Sequence, residues 1–357
     1  MLEFLYEYGL FLAKSLTIVA SILVVVALVF SLQQRGRREE SGHLEVTNLN
    51  DRLQHSTDML KRAILSDELR KAEQKARKKA DKEAAKTQKR EAKAGPAEEQ
   101  RRPRLFVLDF VGDLQASAVT GLREEITAVL EVASGQDEVL VRLESPGGLV
   151  HSYGLAASQL RRIKGKAVAL TVAVDNVAAS GGYMMACIAD RIIAAPFAVL
   201  GSIGVAAQVA NVHNLLKKND VDVDVLTAGE YKRTLTTFGE NTEAGRAKFV
   251  EELEDVHTLF KDFVAENREA VQVDEVSTGE AWYGTRALER KLVDDLQTSD
   301  EFIVERCADY DVFGVRYVEH KTRVDKLLDQ LQNGIKGVAG IVGLRPDLLL
   351  RNPRRGM

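Results

Sequence analysis

The chain reads as an α/β protein built on a largely parallel sheet, carried by the residues from Arg104 onward. Strand-like apolar runs alternate there with helix-like runs as far as Val318, the pattern of a parallel sheet with helices on its faces. Two of the strand-to-helix turns carry glycine pairs, Gly147-Gly148 and Gly181-Gly182. The chain has 357 residues, 45% apolar and 29% charged, enough for one large core or two modest ones.

The elements follow in order. Residues 1–34 are read as a membrane anchor. Ser15–Leu32 holds eighteen residues without a charge, long enough to span a bilayer, and Lys14 can snorkel to the interface. A cleaved signal peptide fits less well, because the leading residues carry Glu3 and Glu7 and no small-x-small site follows the apolar run. Arg35, Arg37 and Arg38 come next, and taken alone they would hold the bulk of the chain in the cytoplasm. Residues 35–103 form a charged spacer. Its segment Ser66–Ala94 is dense in Lys, Arg, Glu and Ala, strong helix formers with almost no apolar stripe. Its charges are mixed and no aromatic is interleaved, so stacked bases would have no platform. The net charge of −4 likewise gives no global attraction to nucleic acid, and no nucleic-acid partner is expected.

Residues 104–320 are the expected catalytic domain. Strands are expected over Leu105–Phe110, Glu138–Leu143, Ala167–Val174, Arg191–Ala195, Val221–Leu226 and Val312–Val318. Helices are expected over Ala118–Val132, Leu149–Ile163, Gly181–Ala189, Val212–Lys218, Glu243–Ala270 and Thr285–Leu296. Leu253, Val256, Leu259, Phe260 and Phe263 recur at helical spacing, which reads as core or subunit packing. Residues 321–357 form a tail. Val324, Leu327, Leu328, Leu331, Ile335 and Val338 share one helical face, and arginines follow, so the tail suits a neighbouring subunit or anionic lipid.

Ser180 is the residue best placed for chemistry. It stands between an apolar strand and a small-residue helix, followed by Gly181-Gly182. Such a turn pushes a hydroxyl toward substrate, and the glycines let backbone N–H groups approach a developing charge. Ser145-Pro-Gly-Gly148 ends the preceding strand in the same way. In a parallel sheet both turns share one carboxyl edge, so N–H groups of Gly148 and Gly181 could face one oxyanion. A serine nucleophile needs a base. Of the six histidines, His151 and His213 could approach the site, the latter in a Ser-His-Asp arrangement; His43 and His55 lie in the spacer, His257 in the long helix and His320 at the end of the domain. A desolvated lysine also serves as a base, and Lys232 follows an apolar run in Gly229-Glu-Tyr-Lys-Arg233. The residues alone leave both choices open. Cys187 and Cys307 are far apart and give neither a disulfide framework nor a metal spacing; Cys187 reads as a packed core thiol.

Taken together and in order, Ser145-Pro-Gly-Gly148, Ala179-Ser-Gly-Gly-Tyr183, Gly201-Ser-Ile-Gly-Val205 and Gly229-Glu-Tyr-Lys-Arg233 resemble the signal peptide peptidase A family of serine proteases. Thr234–Glu243, Thr278–Gly284, the single apolar helix and the charged spacer are similar to its bacterial inner-membrane branch. The resemblance covers about Arg104 to Val318. It implies a ClpP/crotonase-like core behind an N-terminal transmembrane helix and a charged helical spacer. It implies a serine endopeptidase without metal or organic cofactor. Ser180 would be the nucleophile, Lys232 the general base, Ser202 the residue orienting that base, and Gly148 and Gly181 the oxyanion donors. Tyr183 and Met184 remain helix residues, and Glu144, where the family commonly has Asp, points away from the chemistry. The implied partners are peptide or protein substrates such as signal-peptide remnants or misfolded envelope proteins, membrane lipid, and further copies of the chain in a homo-oligomer. The implied location is the inner membrane with the catalytic domain in the periplasm, against the cue of the arginines. A crotonase-type acyl-CoA enzyme would share the glycine donors without needing Ser180 as nucleophile. A non-catalytic membrane scaffold would need neither.

Overall fold

The computed structural model describes residues 6, 8–19, 21, 42–66, 75, 82, 86 and 101–319. Residues 44–317 form one compact unit, and a second gathers residues 1–43 and 318–357. In the second unit, residues 8–19 are helical. Most of the apolar run Ser15–Leu32 lies outside the described residues, as do almost all of Ser66–Ala94 and the whole tail 321–357. Among the described residues no helix is long and apolar enough to cross a membrane.

The main unit carries a seven-stranded sheet. Its strands are β1 (Gly42–Asn48), β2 (Arg104–Val111), β3 (Glu138–Glu144), β4 (Ala169–Val174), β6 (Arg191–Ala194), β9 (Asp295–Leu296) and β10 (Asp311–Glu319). The order is β1-β10-β2-β3-β4-β6-β9, and pairing is parallel from β10 through to β9. A three-stranded sheet of β5 (Val177–Ala179), β7 (Val199–Gly201) and β8 (Ala281–Tyr283) adjoins it through a bridge between Ser145 and Ala178. The helices are α1 (Leu49–Ile64), α2 (Val119–Val132), α3 (Val150–Gly165), α4 (Gly181–Ala186), α5 (His213–Lys218), α6 (Glu243–Asn267), α7 (Val273–Val276), α8 (Gly284–Glu289) and α9 (Ser299–Arg306).

The fold is thus the expected α/β architecture, and both faces of the central strands are covered. In β2, Phe106, Leu108 and Phe110 join a cluster with Leu122 and Ile126 of α2 and Tyr153 and Leu160 of α3. Leu105 and Val107 join a second cluster with Phe302 and Ile303 of α9. Successive strand residues face opposite sides, so parallel strands covered on both faces read as continuous apolar runs. This is why β2, β3 and β4 were legible. Cys187 lies in the first cluster, where burial pushes its thiol up to about 12, in keeping with an inert core position.

Three expectations need correction. Val221–Leu226 forms no strand. Val221, Val223, Val225 and Leu226 are exposed. The alternation is strand-like, but a strand needs a paired neighbour and a covered face, and among the described residues no strand pairs with this run and all of it is exposed. The expected helix over Thr285–Leu296 stops at Glu289, and Asp295–Leu296 instead pairs with β6 as a short edge strand. Finally, the sheet recruits residues from before Arg104. β1 lies beside β10, and Asn50 clamps α1 to the sheet. Its Nδ2 donates to the carbonyls of Cys307 (3.2 Å) and Tyr310 (3.1 Å), while its Oδ1 accepts from the Val312 N–H at 2.7 Å.

Candidate active site

Parallel register assembles the site. Ala179 pairs with Gly201 at the ends of β5 and β7, so the next residues, Ser180 and Ser202, leave neighbouring strands side by side. Both have positive φ, 52° and 51°, a backbone region that costs a non-glycine residue about 1–3 kcal/mol. The Ser180 N–H donates to the Gly201 carbonyl at 2.7 Å, and the Ser202 N–H donates to the Glu280 carbonyl at 2.6 Å. These bonds hold the two serines in their strained turns. Ser180 is half-buried, and its hydroxyl does not cap the helix that follows. The result is a strained serine on a strand-to-helix turn with its hydroxyl free of capping, the kind of backbone strain that clusters at functional sites.

The glycine loop lies against this turn. Ser145 at the end of β3 pairs with β5: its N–H donates to the Val177 carbonyl (2.8 Å), and its carbonyl accepts from the Ala179 N–H (3.0 Å). Gly147 has φ 91°, and a Cβ there would come within 2.7 Å of the Ser180 Cβ and 2.8 Å of the Gly181 nitrogen. Only glycine permits both that conformation and that approach. The Gly147 N–H turns inward to Ser145 Oγ at 3.1 Å. The N–H groups of Gly148 and Gly181 have no acceptor among the described residues. Gly148 is half-buried beside the Leu114 carbonyl, which also takes the Leu149 N–H at 2.8 Å. Four of the five residues named from the sequence, Gly148, Ser180, Gly181 and Ser202, therefore converge at one carboxyl edge.

Lys232 does not join them in the single chain. It is exposed, in a turn closed by its own N–H to the Gly229 carbonyl at 3.2 Å. Its ammonium makes no hydrogen bond or ion pair among the described residues. Residues 205–242, which carry it, contain α5 and no strand. His213 Nδ1 lies 3.3 Å from the Phe238 carbonyl and makes no bond to Ser180. His151 is exposed at the start of α3. Glu144 accepts from Asn176 Nδ2 at 3.0 Å, tying the two turns together from outside.

Residues the sequence reading passed over complete the frame. Trp282 in β8 packs over Gly201, where a Cβ would meet its ring at 2.8 Å, and the Arg290 guanidinium lies over its ring, 5.2 Å from the centroid. The segment Thr278–Gly284, which contains Trp282, thereby supports β7 beside Ser202. Ser145 and Tyr153 are both wholly buried, and Ser145 Oγ lies 2.5 Å from the Tyr153 hydroxyl. Nothing in the spacing of Tyr153 distinguishes it from an ordinary core residue, and Ser145 stands out only as the first residue of the glycine turn.

Two family models cover most of the chain: peptidase family S49 N-terminal over residues 3–160, and peptidase family S49 over residues 162–312. The chain belongs to peptidase family S49. As an S49 member it is a peptidase. A relative named "Probable protease SohB" from Haemophilus influenzae is 52% identical over 325 residues, spanning 91% of this chain and 92% of that one. Another of that name, from Buchnera aphidicola subsp. Schlechtendalia chinensis, is 47% identical over 85% of this chain and 100% of its own. Among solved structures, a mutant of the 1510-N membrane-bound stomatin-specific protease in complex with a substrate peptide is 12% identical, with a TM-score of 0.41, over 64% of this chain and 98% of that one.

Proposed function

We propose that the chain is a membrane-anchored serine endopeptidase on a ClpP/crotonase-like core, with Ser180 as nucleophile and Lys232 as general base. The observation that carries this reading is the Ser180 turn: a strained serine flanked by two N–H groups, on Gly148 and Gly181, without acceptors among the described residues. Ser180 Oγ attacks the peptide carbonyl as Lys232 takes its proton. The carbonyl oxygen, now negative, is held by the two N–H groups. Lys232 returns the proton to the leaving amine, and water then releases the acyl group by the same route. Ser202, adjacent to Ser180 by register, orients the lysine amine. A lysine acts as base only once withdrawn from water. Lys232 is exposed in the single chain, so the dyad requires residues 205–242 to pack down, either on their own chain or against a neighbour. A homo-oligomer supplies that packing.

Ser180→Ala and Lys232→Ala should each abolish hydrolysis of a fluorescence-quenched peptide while the circular dichroism spectrum is kept. Ser180 should be labelled by a fluorophosphonate. Retained activity in Lys232→Ala with loss in His213→Ala would replace the dyad by a triad. The anchor at Ser15–Leu32 is proposed to hold the protein in the bacterial inner membrane with the peptidase in the periplasm, acting on signal-peptide remnants or misfolded envelope proteins. Protease added to intact spheroplasts should cut the main unit; protection there would place it in the cytoplasm.

A further inference from the structure

We propose that Tyr153 is the positioning residue of the oxyanion site, acting through a buried relay of hydroxyls that sets the height of the glycine loop against the Ser180 turn. The inference rests on the Ser180 acyl-enzyme reading above.

Proton counting fixes the direction of the relay. The Tyr153 hydroxyl donates its one hydrogen to the Asp113 carbonyl at 2.8 Å. At 2.5 Å from Ser145 Oγ it can then only accept, so the Ser145 hydroxyl donates to it. Ser145 Oγ in turn accepts from the Gly147 N–H at 3.1 Å. The chain runs from the Gly147 N–H through Ser145 and Tyr153 to the Asp113 carbonyl, every donor spent on one acceptor, and bonds in series in a buried setting strengthen one another. Burial pushes the Tyr153 phenol up from its ordinary value, which keeps its proton in place.

The relay joins the three parts that must keep register. Asp113 belongs to the loop leaving β2, which continues to the Leu114 carbonyl against Gly148. Ser145 and Gly147 belong to the glycine loop. The Tyr153 ring is the floor under Gly181, where a Cβ would meet ring carbon Cδ2 at 2.7 Å. At Gly112 a Cβ would collide with both hydroxyls of the relay, so the absence of a side chain there makes room for them. One side chain therefore touches the backbone of Gly181 and bonds Asp113, whose neighbour Leu114 lies against Gly148, without itself reaching the substrate.

Oxyanion donors act only when aimed at the transition state, so a loosened relay should cost turnover and leave ground-state binding alone. The full chain in detergent is assayed with a fluorescence-quenched peptide, and turnover is normalised to sites titrated by a fluorophosphonate. Tyr153→Phe keeps the ring and loses the relay. Its kcat should fall about 10- to 100-fold with KM within about two-fold, since a small misplacement of catalytic groups costs rates of that order. The Ki of a peptide aldehyde, whose adduct places a negative oxygen in the site, should rise in proportion to the loss in kcat/KM. Ser145→Ala should give the same signature, and it carries the test if Tyr153→Phe does not fold. Wild-type kcat per titrated site, or a lower kcat with unchanged aldehyde affinity, overturns the inference. Ser180→Ala in the same assay separates the two claims: hydrolysis surviving there removes the nucleophile reading, whereas an inactive Ser180→Ala beside a wild-type-like Tyr153→Phe removes Tyr153 alone.

Discussion

Ser180 carries its proposed role at a cost in stability that can be measured. Its φ of 52° with ψ of −118° is open to glycine and unfavourable for alanine or serine. Ser180→Gly and Ser180→Ala should both be inactive. The glycine variant should nevertheless unfold about 1 kcal/mol later than the alanine variant, because it alone relaxes the turn; equal denaturant midpoints would mean that the strain is not there. Ser180, Gly148 and Gly181 were legible in the sequence because their signal is local: a small residue wherever the backbone must bend sharply or come close. Lys232 carries no such local mark. An exposed lysine in a turn looks like any other, and only the resemblance singled it out. Tyr153 was invisible for the opposite reason. A buried aromatic on a helix face reads as core, and its hydroxyl acquires a purpose only when Ser145 and Asp113 come to it from other elements.

Among the elements, the contact between α2 and β10 should be pH-sensitive. Glu125 of α2 is 4% exposed. Its Oε1 accepts from the Tyr317 N–H at 2.8 Å, while its Oε2 has no partner among the described residues. Burial raises its carboxyl to about 7; Asp109 adds to the rise, and the Tyr317 N–H and Arg316 oppose it. The folded chain therefore holds a proton that the unfolded chain releases near 4.5. With more protons bound in the folded state, stability falls as pH rises from about 4.5 to about 7. The loss should reach about 3 kcal/mol at full ionisation, and Glu125→Gln should flatten it in urea titrations at pH 5 and pH 7.5. Asp137 has the opposite sign. Burial would raise its carboxyl, but hydrogen bonds from the Arg104 side chain, the Ser134 and Arg104 N–H groups and the Arg101 side chain hold it well below the ordinary range. Its contribution is present above about 3.8 and is lost as pH falls further. The strands β2, β3 and β4 were read from sequence to within two residues at each end, because both of their faces are buried. Val221–Leu226 was misread because alternation marks the wish for a partner and does not supply one.

The whole molecule reaches further toward the N-terminus than its motifs do. Asn50 makes three bonds to the β10 end of the sheet. Asn50→Ala strands two carbonyls and an N–H, and should cost about 2 kcal/mol in unfolding free energy without altering kcat per labelled serine. If the cost were nil, α1 would not be a working part of the main unit. The proposed oligomer has its own test. Ser180→Ala and Lys232→Ala subunits, each inactive alone, should recover activity when co-assembled if the dyad is completed between chains; persistent inactivity of the mixture would confine the dyad to one chain. Alternating apolar runs and glycine pairs were enough to predict the α/β class and to single out Ser180, Gly148 and Gly181, because each of these depends on a few consecutive residues; Ser202 and Lys232 were singled out by the family resemblance. The strand order, the pairing of Ala179 with Gly201 that brings two serines together, the hydroxyl relay beneath Gly147 and the exposed position of Lys232 came only from the folded chain. They depend on contacts between residues tens of positions apart, and short-range pattern carries no information about which distant partners will meet.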